Sequence, residues 1–162
     1  VFQLQLVGTQ HESVVLAFER ENRAYFAKAI SDRGDSFFEQ YPQRHRELIA
    51  EQEAGTGVFY ALVDQNGVVV GRFNLYDISD GTARVGYRVG EQASGRGVAT
   101  SGLRTLCRIA RENFGLQVLT AAASDDNVAS QRVLLKSGFT YVAPSDVGGR
   151  RGVLFELELG TP

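Results

Sequence analysis

The stretch Val89-Gly90-Glu91-Gln92-Ala93-Ser94-Gly95-Arg96-Gly97-Val98-Ala99 carries the reading of this chain. Upstream of it, Thr82 to Val89 has the texture of a strand. Downstream, Ala99, Leu103, Leu106, Ala110 and Phe114 recur on one helical stripe. A strand that turns through glycines straight into a helix presents unpaired backbone N–H groups and a positive helix end, a setting that suits a phosphate. The glycines let backbone approach a ligand and permit positive φ. Two phosphate loops are excluded by their letters. Gly90 to Gly95 has Walker A spacing, but Arg96-Gly97 replaces the required Lys and Ser/Thr. Gly95-Arg96-Gly97-Val98-Ala99-Thr100 ends in Thr where a dinucleotide fingerprint needs Gly or Ala, and no acidic residue follows at the required distance.

Working outward, Phe2, Leu4 and Leu6 alternate with Gln3 and Gln5 as in a half-buried strand. Thr9-Gln10-His11-Glu12 fits a capping box ahead of Val14, Val15 and Leu16. Helical spacing continues to Ile30 with a break near Asn22, and Ser31 to Asp35 reads as a loop. A helix is expected from Gln43 to Ala54, closed by Gly55 and Gly57. Phe59 to Val63 and Val68 to Tyr76 flank Gln65-Asn66-Gly67, a strong hairpin signal, and Thr82 to Val89 adds a third strand. Beyond the turn, Gly115 closes the helix, Gln117 to Ser124 is a strand, and Asn127 to Ser137 is a helix ended by Gly138. Phe139 to Val142 and Gly152 to Leu159 complete the strands. The expectation is one α/β domain over residues 1–162, an antiparallel meander feeding a β-α-β-α-β half.

The 162 residues are 43% hydrophobic and 22% charged, which sets disorder and fibrous classes aside. A chain of this length buries roughly 70% of its unfolded surface and needs no disulfide or metal to hold it. The single cysteine, Cys107, excludes an internal disulfide and a cysteine zinc cluster, and its place beside the apolar stripe points to packing. A net charge of -2 argues against nucleic acid as a partner. No stretch approaches the ~20 apolar residues of a membrane span, so a soluble cytoplasmic setting is expected. Neither GxSxG nor HExxH occurs, and His11 and His45 are far apart, with surface or capping roles expected.

Gln92-Ala93-Ser94-Gly95-Arg96-Gly97 resembles the Gln/Arg-x-x-Gly-x-Gly/Ala signature of the GNAT superfamily of N-acetyltransferases. Asp126-Asn127-Val128-Ala129-Ser130 through Lys136-Ser137-Gly138-Phe139 is similar to that family's Asn-x-x-Ser/Ala…Lys-x-Gly-Phe segment. Gly86-Tyr87-Arg88-Val89 resembles the Gly-Tyr-x-Leu strand of the branch that acetylates ribosomal-protein N-termini. The resemblance implies a GNAT-type mixed, mainly antiparallel central sheet flanked by helices, with the strand–turn–helix unit as the acetyl-CoA site. It implies direct transfer of an acetyl group to a primary amine, foremost a protein or peptide N-terminal α-amine. A small-molecule amine acceptor and a non-catalytic acyl-CoA-binding module are the alternatives. No metal is implied, and the chain would act as a monomer or homodimer.

By the same resemblance, Tyr87, Arg88 and Val89 would line the pantetheine arm, with a backbone N–H near Val89 facing the oxyanion. Backbone groups of Gln92, Ala93, Ser94, Gly95, Arg96, Gly97, Val98, Ala99 and Thr100 would hold the pyrophosphate. Asn127 would touch pantetheine or substrate, a role compatible with an ordinary helix N-cap. Ser130 would protonate the departing thiolate, as proposed for the ribosomal branch, or else bond its own backbone. Leu134 stands where many relatives carry a tyrosine acid. Arg132 and Lys136, with Arg96, could meet cofactor phosphates or be solvated cations. Arg84 and Ser101 occupy positions where the family often places acidic residues, so no carboxylate base is evident. Tyr25, Phe26, Phe37, Phe38, Phe73 and Tyr76 are the aromatic residues near the expected acceptor side.

Overall fold

A computed structural model describes residues 1–161. In chain order the elements are β1 (Gln3–Leu6), α1 (Glu12–Glu21), α2 (Arg23–Ala27), α3 (Asp35–Glu39), α4 (Tyr41–Ala54), β2 (Val58–Val63) and β3 (Val69–Ser79). They continue as β4 (Thr82–Val89), α5 (Val98–Phe114), β5 (Val118–Ser124), α6 (Val128–Lys136), β6 (Thr140–Val147) and β7 (Arg150–Glu158). The strands form one sheet in the order β1-β2-β3-β4-β5-β7-β6, antiparallel except for the β4–β5 pair. This is the mixed, mainly antiparallel sheet flanked by helices that the sequence implies.

The meander is set by local chemistry. At the β2–β3 turn Gly67 takes φ +79°, and Asp64 Oδ1 accepts from the backbone N–H groups of Asn66 and Val68. Two apolar clusters cover the sheet. One unites Phe73, Leu75 and Val85 with Leu103 and Leu106 of α5 and Leu134 of α6. The other packs Val15 and Phe18 of α1 and Leu48 of α4 on Phe59 and Ala61 of β2. Gly102 is what lets α5 lie so close to β3: a Cβ there would stand 2.4 Å from Cζ of the fully buried Phe73. Cys107 is buried against the same helix face, and burial pushes its thiol up to about 12.

Several expectations need correction. The alternation of Phe2, Leu4 and Leu6 fails at the sheet edge, where Leu6 is exposed and Val7 is buried, its N–H donating to Phe59 O at 2.8 Å. No capping box forms at Thr9–Glu12. The segment Thr9–His11 winds as a tight 3-10 turn, and the His11 Nδ1 accepts from the Gly8 N–H at 2.9 Å. His45 is not at the surface. It is buried, accepting at Nδ1 from the Tyr41 hydroxyl and donating from Nε2 to Gly8 O at 2.9 Å. Both histidines therefore tie the same Gly8 peptide, one at each end. Phe114, last of the α5 stripe, is exposed, and β6 runs on to a Gly148-Gly149 turn. Among the described residues no helix is long and apolar enough to cross a membrane, and no cluster of His, Cys, Asp and Glu could hold a metal ion.

Candidate active site

The parallel strands β4 and β5 pair only through Thr82–Val118, Ala83–Leu119 and Arg84–Thr120. Beyond these three rungs β4 continues to Val89 and β5 to Ser124 without pairing, so the sheet opens like a V. Which groups face the opening follows from the β3–β4 ladder. Arg72 pairs with Arg88, Phe73 with Tyr87, and the Gly90 N–H donates to Val70 O at 2.8 Å. In an antiparallel ladder bonded and non-bonded pairs alternate, so Arg88 and Gly86 direct their peptide groups toward β3. Val85, Tyr87 and Val89 therefore turn their N–H and C=O groups into the V, where β5 no longer receives them.

The glycine turn closes the wide end of the V. Glu91–Ala93 form one 3-10 turn, Gly95 and Gly97 both take φ +74°, and nothing lies within 4 Å of where their side chains would be. Helix α5 starts at Val98 with Gly97 as N-cap, and the first helical bond runs from Ser101 N–H to Gly97 O at 3.0 Å. The N–H groups of Gly97, Val98, Ala99 and Thr100 thus have no helical acceptor and stand together at the positive end of a 17-residue helix. The turn is pinned from the other side by Asn22, whose Oδ1 accepts from the Glu91 N–H at 3.0 Å. Arg96 folds back on the turn, donating to Gln92 O.

Across the V, Tyr87 of β4 meets Ser130 of α6. Their hydroxyls are 3.0 Å apart, and the Tyr87 hydroxyl is also 3.2 Å from the Ser130 carbonyl. Tyr87 stacks on Phe73, with ring centres 5.8 Å apart, and burial pushes its phenol up to about 12, the Ser130 bond opposing. It stays a neutral donor throughout the physiological range. Asn127 is the N-cap of α6, its Oδ1 accepting from the Ser130 N–H at 3.2 Å, so it also holds Ser130 in place.

On the opposite face a cavity of about 490 Å³ reaches Gly86, Tyr87 and Arg88 from between α3, α4 and β3. Behind it Glu19 of α1 is buried, 1% exposed. Its Oε1 accepts from Arg72 at 3.1 Å, and its Oε2 lies 3.3 Å from Arg88 and 3.5 Å from Arg33. Burial, with repulsion from Arg33 next, pulls Arg88 down to about 10. Another hollow, about 540 Å³ between Asp125, Tyr141 and Arg150, shares no residue with β4 or the turn. Although larger, it lacks the diverging strands and the free helix end that make the V beside β4 the candidate site.

The sequence profile of the family described as Acetyltransferase (GNAT) domain matches residues 10–140. The chain belongs to the GNAT acetyltransferase family. As a GNAT acetyltransferase it is an acetyl-CoA-dependent N-acetyltransferase. Probable N-acetyltransferase YjcK of Bacillus subtilis (strain 168) is 29% identical over 133 residues, which cover 76% of this chain and 72% of that relative. Ribosomal-protein-S5-alanine acetyltransferase from Vibrio fischeri shares the fold with a TM-score of 0.89 at 20% identity, over 97% of this chain and 92% of that one. Mycobacterium smegmatis RimJ, solved with CoA-disulfide, superposes with a TM-score of 0.86 at 19% identity, over 98% and 82%.

In this GNAT acetyltransferase, then, the open turn, the free N–H groups and the unpaired edge of β4 fit a long thioester carrying a diphosphate. Of the residues singled out from the sequence, the turn, Tyr87, Val89, Asn127 and Ser130 converge on the V. Arg88 lies on β4, but its side chain turns away to Glu19 and stands 4.5 Å over the Phe26 ring. Arg132 and Lys136 are exposed, each about 160° around α6 from the buried Leu134. Of the aromatic residues, Phe37 and Tyr76 line the cavity while Phe26, Phe38 and Phe73 are core. The sequence reading missed Glu19, Arg33, Arg72, Asn74 and Asn22. A glutamate amid the apolar run of α1, and Arg72 and Asn74 flanking Phe73, were the available signals.

Proposed function

We propose that residues 1–162 act as a single catalytic domain transferring the acetyl group of acetyl-CoA directly to a primary amine, foremost an N-terminal α-amine of a protein or peptide. The observation that carries this is the V. It brings the N–H groups of Tyr87 and Val89, the helix N-terminus after Gly97 and the Tyr87–Ser130 hydroxyl pair to one opening, with a cavity arriving at Tyr87 from the other face. Acetyl-CoA supplies an acyl thioester. The turn from Gln92 to Thr100 holds its diphosphate, and the edge of β4 pairs with its pantetheine amides. The Val89 N–H donates to the carbonyl oxygen as negative charge develops there. Ser130 donates its proton to the departing sulfur, and the proton released by the acylated amine restores the hydroxyl through Tyr87, 3.0 Å away, leaving both side chains neutral.

No carboxylate stands ready as a strong base. Asp77 and Glu51 line the cavity, but Asp77 is largely exposed and 3.6 Å from Arg84, while Glu51 bonds Arg44 at 3.0 Å. An α-amine, with an ordinary pKa of about 8, needs less help than a lysine near 10.4. The arginines around the cavity further disfavour its protonated form. An acetyltransferase of the same fold from Salmonella typhimurium, described as modifying the N-terminal serine of ribosomal protein L7/L12, is consistent with this choice. The test is thiol release from acetyl-CoA in the presence of a panel of N-terminal peptides and small amines, with acetyl-CoA binding followed by calorimetry. Release with an α-amine peptide is expected. Binding without release from any amine overturns the catalytic reading, and absence of binding overturns the cofactor site.

A further inference from the structure

The cavity on the α1–α4 face carries a positive charge that the carboxylates around it only partly balance. Arg33, Arg72 and Arg88 share one carboxylate, Glu19, so positive charge is in surplus around it. The fourth arginine of the wall, Arg44, is already matched by Glu47 and Glu51 at 3.3 and 3.0 Å. Arg72 is the most telling of the set: its side chain is only 5% exposed, it lines the cavity, and its Nε–H has no partner. Two residues along the same face of β3, Asn74 lines the cavity too, and its buried Oδ1 is also unpartnered. Buried polar atoms are rarely left without a bond, and a buried cation is costly unless matched. One atom here is a donor wanting an anion, and the other an acceptor wanting an N–H. The two residues lie roughly 7 Å apart along the strand.

We propose that the acetyl acceptor is an amine that also carries a carboxylate. The carboxylate seats on Arg72, Arg33 and Arg88, and the amine is held by Asn74 Oδ1 at the Tyr87 end of the cavity. This rests on the acetyl-transfer reading above and narrows it. The carboxylate accepts from the Arg72 Nε–H and from Arg33, one-third exposed at the mouth, neutralising part of the surplus charge. An amine N–H donating to Asn74 Oδ1 lies beside Gly86, the β4 partner of Asn74, and hence next to the peptide of Tyr87 that faces the V. Gly86 lets the Tyr76 ring close on β4 and wall this end of the cavity, since a Cβ there would stand 2.9 Å from that ring. Two sources present the same chemistry, a free amino acid through its own carboxylate and a peptide through an acidic side chain near its N-terminus.

The experiment compares kcat/KM for thiol release across matched pairs. One arm sets free amino acids against their amides, and the other sets peptides with Asp or Glu near the N-terminus against Asn or Gln. The carboxylate member of at least one arm is expected to be favoured about ten-fold or more, and the arm that responds identifies the source. Arg33→Met is expected to reduce that preference about ten-fold through KM. Arg72→Lys, which keeps a charge beside Glu19 but removes the Nε–H, is expected to reduce it too. Equal rates within every pair, or preference for the neutral member, overturn the carboxylate requirement while leaving acetyl transfer in place. Thiol release from no amine at all overturns both.

Discussion

On the α5 face of the sheet, Phe73, Leu75, Leu103 and Leu106 interlock as an apolar cluster under a helix whose N-terminus is open. On the α1–α4 face, Glu19 and Arg72 are buried nearly as deeply but are held by charge. The first face is closed; its polar groups are the backbone N–H groups at the glycine turn and the Tyr87–Ser130 hydroxyl pair. The second is closed around an unmatched charge and leaves a cavity. Under the proposed function, the difference tracks the two ligands of a transferase. A cofactor of constant structure can be held by main chain, which any sequence supplies, whereas an acceptor must be selected by side chains.

Three substitutions break or sharpen this contrast. The largest effect is expected from Glu19→Gln, which removes the carboxylate that three guanidinium groups share. A loss of about 3–5 kcal/mol in unfolding free energy should follow by urea titration. A loss below about 1 kcal/mol would mean that these arginines are solvated and the two faces are not so different. Next is Ser130→Ala, at the seam between the faces. It should lower kcat about 100-fold while acetyl-CoA affinity by calorimetry changes less than about two-fold. An unchanged kcat removes Ser130 from proton transfer. The smallest is Gly102→Ala on the apolar face, where the new Cβ meets a ring that cannot retreat. Overpacking costs about 1–3 kcal/mol, and the gain in helix propensity offsets up to about 1 kcal/mol, leaving a net loss visible by thermal denaturation.

The glycine turn and the start of α6 were legible before any coordinates. Gly95 and Gly97, Asn127 and Ser130 are spaced by local geometry, turn to helix and cap to first turn, and local geometry is written in adjacent letters. The boundaries of β4 and the C-terminal end of α5 at Gly115 match the expectation for the same reason. The buried charge cluster was not legible. Glu19 and Arg72 are 53 residues apart, and Glu19 and Arg88 are 69 apart. No periodicity links them. His45 was misplaced on the same grounds, because its partner is the peptide of Gly8, 37 residues away. The edge strand misled through Leu6, since alternation loses its meaning where one side of a strand has no neighbour.

The glycine-rich stretch therefore established by itself that a strand passes through an open turn into a helix, and with the Asn127–Phe139 segment it established the family. Such features depend on backbone conformation over a few residues, where Gly, Asn and Ser have sharp preferences. Folding settled what the stretch faces. The parting of β4 from β5 after three rungs, the meeting of Tyr87 with Ser130 and the gathering of three arginines on Glu19 each join distant segments. They exist because two cores pack on opposite sides of one twisted sheet. Packing of that kind is a property of the assembled layers and has no signature in any single run of residues.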